Sequence, residues 1–163
     1  MAEPWVINAS PVILLAKAGL IQHVPALAQA LVIPEPVAVE IRQCREADAA
    51  VAWINGVGAG FIRPPAPELP GLHKAKVGFG ERAVIAWAVA NPGFIAVLDD
   101  AGARSLALQN GVRLIGTVGV VLKLKKAGII TEAKTHLLRI RQAGGFIGDK
   151  LLREALLDVG EQL

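Results

Sequence analysis

Several oxygen-bearing side chains stand where this chain is otherwise apolar. Glu40 interrupts PVAVEIRQC between Val39 and Ile41. Glu81 follows Gly78-Phe79-Gly80 at the start of GFGERAVIAWAVA, which holds no other acid. Asp99 and Asp100 follow the apolar run Phe94–Leu98 in GFIAVLDDAGARSLA. Asn8 and Ser10 come at the end of a shorter apolar run that begins at Trp5. A carboxylate in such surroundings is costly unless something compensates it. Two unit charges ~4 Å apart repel by about 4 kcal/mol at an effective dielectric of 20. Several such pairs approach the whole stability of a domain, about 5–15 kcal/mol. A divalent cation removes the repulsion, and hard oxygen ligands suit Mg²⁺ or Mn²⁺. An acid-rich site of this kind can activate water and neutralise a phosphodiester during its cleavage.

Each acid also has a plainer reading. Glu81 suits the positive end of a helix by charge alone. One of Asp99 and Asp100 suits the N-cap of the helix that follows. Glu40 could pair with Arg42 or Arg45 on a solvated face. The case for a site rests on their conjunction at the ends of elements.

Those elements can be read from the same pattern. Trp5–Asn8, Leu31–Pro34, Phe61–Arg63, Phe94–Leu98 and Val112–Gly116 read as short strands. The first is followed by a helix with Ser10 as N-cap, Pro11 at its first position and Gly19 beyond its end. PALAQAL is a short second helix. EPVAVEIRQCREADAAVAWI has helical spacing, with Val37, Ile41 and Cys44 on one face. The segment from Gly78 is a helix stopped by Asn91-Pro92-Gly93, and AGARSLALQNG is another. Three helical stretches, Thr117–Ala127, Thr131–Ala143 and Asp149–Val159, complete the chain. Apolar strands alternating with helices imply an α/β fold with a parallel sheet covered on both faces. Chemistry in such sheets gathers beyond the carboxyl ends of the strands.

A length of 163 residues fits one domain, residues 1–163, able to bury a core without staples. The single cysteine, Cys44, excludes an internal disulfide and a cysteine-rich zinc site. It fits a reducing cytoplasm. MAEPWVINASP lacks the basic and apolar regions of a signal peptide. The hydrophobic content is 53%, yet the long apolar runs are broken by Pro, Gln, His or Asn-Pro-Gly. None makes the ~20-residue span a membrane helix needs. The excess apolar content points to buried surface, including a subunit interface. The net charge of +3 is mildly basic and gathers in HKAK, KLKK and RIRQ.

The segments VINASPVILLAKAG, VIPEPVAVEI, GFGERAVIAWA, AVLDDAGAR and GVRLIGTVGVVLKLKKAGII, in this order, resemble a PIN domain. The resemblance is to a branch related to the VapC-type toxins of toxin–antitoxin pairs. It implies a three-layer α/β/α sandwich with a central parallel sheet and extra C-terminal helices. It implies Mg²⁺- or Mn²⁺-dependent RNA cleavage, with Glu40, Glu81 and Asp99 or Asp100 as catalytic acids and metal ligands. Asp100 is slightly favoured because the helix begins just after it. Ser10 matches the small hydroxyl residue after the first acid, and Thr117 a polar residue near the site. Lys74 and Lys76 are candidates for holding the RNA backbone. The implied partners are RNA, a small antitoxin protein and a second copy of the chain, with no membrane.

Asn8 departs from the family pattern, which carries Asp there. Asn offers a carbonyl oxygen but no charge and no general base. The second aspartate of the pair could restore the charge. The rival reading is a degenerate, non-catalytic PIN module that binds RNA or a protein. A phosphatase or phosphoacceptor domain using Asp99 or Asp100 is weaker, since no lysine is well placed after the last strand. GVGAG lacks dinucleotide or Walker spacing and reads as a turn. His23, His73 and His136 show no ligand spacing and read as surface or loop residues. The tryptophans read as packing.

Overall fold

The computed structural model describes residues 2–163. Five strands are present: β1 (Trp5–Ile7), β2 (Leu31–Pro34), β3 (Ile62–Arg63), β4 (Ile95–Val97) and β5 (Leu114–Ile115). They form one parallel sheet in the order β3-β2-β1-β4-β5. Val6 lies beside Val32 on one side and Ala96 on the other. Ile7 is level with Val97, and Val97 with Ile115. β1, β2 and β4 are buried at every position, as strands covered by helices on both faces must be.

The helices are α1 (Ala9–Lys17), α2 (Val24–Leu27), α3 (Glu35–Gln43), α4 (Asp48–Asn55), α5 (Phe79–Ala90), α6 (Ala101–Gln109), α7 (Thr117–Lys126), α8 (Lys134–Gln142) and α9 (Asp149–Asp158). α8 and α9 pack on α7, and α8 also meets α1. The result is the expected α/β/α sandwich with extra C-terminal helices. The chain lays β1, β2 and β3 outward in one direction, then crosses back to place β4 on the other side of β1. The strand order therefore reverses between β1 and β4. In open parallel sheets that reversal leaves a crevice beyond the strand ends, where ligands bind.

Several local expectations are corrected. The helical stretch from Glu35 to Ile54 is two helices, broken where Cys44 turns extended. Helix α1 begins at Ala9 with Asn8 at its N-cap position, so Ser10 lies inside the first turn and caps nothing. The second helix is shorter and earlier than PALAQAL, spanning Val24–Leu27. The last strand keeps only Leu114–Ile115. Among the described residues, no single helix is long and apolar enough to cross a membrane.

Candidate active site

Asn8 is the first residue past β1, and Asp99 and Asp100 lie just past β4, so both flank the reversal. The Asn8 N–H donates to the Val97 carbonyl at 3.2 Å. Its side chain is buried, at 4% exposure, and forms no helix-cap bond. Its Oδ1 atom has no hydrogen-bond partner. A buried orphan oxygen costs about 1–3 kcal/mol, so its persistence calls for a partner absent from the protein itself.

Helices α3 and α5 bring two more acids together. Glu40 Oε1 accepts the Gly80 N–H at 2.8 Å. A Cβ at Gly80 would lie only 2.7 Å from Glu40 Oε2, so the absence of a side chain there admits the carboxylate. Neither Arg42 nor Arg45 pairs with Glu40 among the described residues; Arg42 instead donates to Asn55. Glu81 Oε2 accepts the Gly78 N–H at 2.9 Å, closing the first turn of α5. Glu81 thus caps its helix as the plainer reading has it, yet its carboxyl is pushed above the ordinary value of 4.5. Burial is the main cause, opposed by the Gly78 bond, and the negative charges of Asp100 and Glu40 raise it further. Three acids from three helices or helix ends therefore share one field.

The twin aspartates divide their work. Asp100 is the N-cap of α6, and its Oδ2 accepts the Ala103 N–H at 2.9 Å. Asp99 instead holds Thr117, accepting its N–H at 2.8 Å and its hydroxyl at 2.6 Å. Arg104 donates to the Leu98 carbonyl at 3.0 Å. A Cβ at Gly116 would come within 2.8 Å of the Arg104 guanidinium and 3.2 Å of Asp99 Oδ1, so the bare backbone at Gly116 leaves room for this junction.

A cavity of about 1080 Å³ opens over these groups. Ser10, Glu81, Asp99, Asp100 and Thr117 line it, with Lys17 and Arg104 as its cations. Its remaining wall comes largely from apolar residues of α1, α7, α8 and α9 and from Phe146 between the last two. Asn8 and Glu40 do not line it. Lys74 and Lys76 are exposed on the segment that leads into α5, and they too lie outside its wall.

Among the described residues, no three His, Cys, Asp or Glu side chains stand close enough to enclose a metal ion by themselves. Glu40, Glu81, Asp99 and Asp100 each give at least one oxygen to a backbone N–H. The donors nevertheless fit a hard divalent cation in kind: one orphaned amide oxygen, and the Glu81 carboxylate within the field of Glu40 and Asp100. Mg²⁺ is commonly held by one or two carboxylates, with water and substrate phosphate completing its shell. A partly built protein shell therefore suits it.

Sequence reasoning missed Gly80 and Arg104. Gly80 carried a usable signal, a glycine one position before an acid at a helix start. The histidine reading is corrected at His136, which sits half-buried in α8 with Nδ1 buried and unpartnered. The tryptophans do pack: Trp53 stacks on Phe61 at 6.1 Å and Trp87 meets Phe94 edge-on at 6.0 Å.

Residues 4–161 match the family model described as DUF3368: PIN domain, a nuclease-type fold. No curated protein and no solved structure matches the chain. PIN domains generally use divalent metal ions. With a family match over nearly its whole length and a parallel sheet whose reversal gathers acids, the chain belongs to the PIN-domain family.

Proposed function

We propose that this PIN domain is an Mg²⁺- or Mn²⁺-dependent endoribonuclease, the toxin of a VapC-type toxin–antitoxin pair. The observation that carries the reading is the meeting of Glu81, Asp99 and Asp100 on one cavity wall at the strand reversal, with Glu40 held on Gly80 beside Glu81. Acids kept together against their repulsion serve a cation. Glu40, Glu81 and Asp100 would hold the ion, with Asn8 Oδ1 assisting. When bound, it supplies Lewis acidity toward an RNA phosphodiester and its hydrolytic water.

The chain's own groups supply position and charge. Asp99 fixes Thr117 at the cavity wall through two hydrogen bonds. Asp100 is oriented by its cap bond and Glu40 by the Gly80 amide. Ser10 offers a hydroxyl on the same wall. Lys74 and Lys76 contact the RNA backbone as exposed cations. In this reading residues 1–163 act as one cytoplasmic domain, as a homodimer restrained by a small antitoxin protein. The lone Cys44 and the family resemblance support that setting.

Asn8 favours a second reading, a non-catalytic PIN module that binds RNA or a protein. One assay separates the two. Purified protein is incubated with a mixed RNA pool and Mg²⁺ or Mn²⁺, beside Glu40→Gln and Asp100→Asn. Metal-dependent cleavage by the wild type alone supports the nuclease. Identical behaviour of all three proteins assigns the binding module instead.

A further inference from the structure

We propose that Phe79 is a stacking platform for an unpaired nucleobase beside the acid cluster; this rests on the ribonuclease reading above. Phe79 is 59% exposed, although it is a large apolar residue at the first position of α5. A single exposed apolar side chain is ordinary. This one differs in how it is held and in what surrounds it.

The Arg82 guanidinium lies over the Phe79 ring, 5.4 Å from its centroid. Arg82 Nε lies 3.2 Å from Glu68 Oε1, an ion pair without hydrogen-bond geometry, and only 18% of its side chain is exposed. One face of the ring is therefore backed by a largely buried cation, while the residue as a whole stays mostly exposed. Such a ring loses little freedom when a flat ligand stacks on it.

Its position ties the ring to the site. The next residue, Gly80, donates its N–H to Glu40, and the one after is Glu81. Lys74 and Lys76 lie a few positions before it, exposed and without an ion pair among the described residues. Cations close in sequence to an exposed aromatic ring match in kind the pairing of backbone charge and base stacking in single-strand binding. In an A-form duplex the base faces are covered by their neighbours, and proteins read it through shape and 2′-hydroxyls. A lone ring can therefore take only a base that is out of a helix.

The test is binding of a short single-stranded RNA carrying 2-aminopurine, in EDTA and again with Ca²⁺ so that binding is read without cleavage. Stacking on Phe79 changes the fluorescence of the probe. Phe79→Ala and Phe79→Leu are expected to weaken binding by about 5- to 150-fold and to abolish the fluorescence change. Phe79→Trp is expected to retain both. Because the ring is mostly exposed, all three variants should melt like the wild type. A Phe79→Leu protein that binds and reports like the wild type overturns the platform, while metal-dependent cleavage in the pool assay would leave the ribonuclease reading standing. Tighter binding to a hairpin stem than to the single strand overturns it too. So does loss of self-association by Phe79→Ala with RNA binding unchanged, which would assign the ring to a protein contact. A wild type that neither binds nor cleaves RNA removes both readings together.

Discussion

The carboxylate of Asp99 grips Thr117 with both oxygens, one on the backbone N–H at 2.8 Å and one on the hydroxyl at 2.6 Å. The two residues are 18 positions apart, and the contact pins the end of β4 to the first turn of α7. Thr117 is 3% exposed, so water does not replace the bond when it is lost. A hydrogen bond to a charged group contributes about 1.5–3 kcal/mol. Thr117→Val keeps the shape and removes the hydroxyl. It is expected to lower the unfolding free energy by about that amount in a urea titration, with Thr117→Ser much closer to the wild type. Equal midpoints for wild type and Thr117→Val would show that the grip adds nothing.

Gly80→Ala separates stability from function. Gly80 is in the first turn of α5, and alanine favours a helix over glycine by about 0.8–1 kcal/mol. The new methyl would stand 2.7 Å and 2.8 Å from the two Glu40 oxygens. Those atoms are the far end of a flexible side chain, so the carboxylate can swing away, but the Gly80 N–H then loses its acceptor, at a cost of about 1–3 kcal/mol that offsets the helix gain. The variant is expected to melt within a few degrees of the wild type, at or below it, while losing metal-dependent cleavage as fully as Glu40→Gln. Cleavage at the wild-type rate would remove Glu40 from the reaction centre.

The parts of this architecture that were legible in the sequence are those written in burial. The runs around Val6, Val32 and Ala96 are apolar at every position because both sheet faces are covered, and that pattern says parallel sheet. The acids stood out for the same reason, as costly exceptions within buried stretches. Burial is helical within α3 at Val37 and Ile41, and along α4 from its N-cap Ala47 through Ala50 and Ile54. With Cys44 read onto the same face it did not disclose the break, although the six residues from Ile41 to Ala47 are out of helical phase. Nor did it tell Asp99 from Asp100, which are identical in type and adjacent. The choice is made by the α6 cap and by Thr117, whose position depends on β5 lying beside β4. Phe79 was hidden in a different way: nothing in the sequence around it marks its exposure, and only the packing shows it.

The raised carboxyl of Glu81 has a consequence for pH. A group whose proton is held more tightly in the folded state favours folding below its unfolded value, near 4.5, and that advantage is lost as pH rises through the higher folded value. Near neutral pH, without metal, the ionised Glu81 therefore works against the fold. Glu81→Gln keeps an acceptor for the Gly78 N–H, since Gln also serves at this capping position. In metal-free buffer it is expected to raise the melting temperature near neutral pH, with the gain shrinking as pH falls through the raised folded value and gone below 4.5. Added Mn²⁺ should stabilise the wild type more than the variant. A melting difference that ignores both pH and Mn²⁺ would remove the charge cluster as its cause.

Glu161 carries the opposite shift at the other end of the chain. Burial alone would raise its carboxyl, but the N–H groups of Ala133 at 2.7 Å and Lys134 at 2.8 Å, with Lys125 at 3.3 Å, bring it below 4.5. The residue past α9 thus caps the start of α8 and ties both to α7, and these helices form one wall of the cavity. A depressed carboxyl binds its proton more weakly when folded, so its contribution is present above 4.5 and lost as pH falls through the lower folded value. Losing a helix cap costs typically about 1 kcal/mol, or about 2–4 °C in a chain of this size. Glu161→Ala should therefore melt about 2–4 °C below the wild type at neutral pH. Glu161→Gln separates charge from hydrogen bonding: its deficit should close in acid, where the wild-type carboxyl is also protonated. A Gln deficit of the same size at both ends of the pH range would show that the amide geometry of the cap, rather than its charge, holds the C-terminal helices in place.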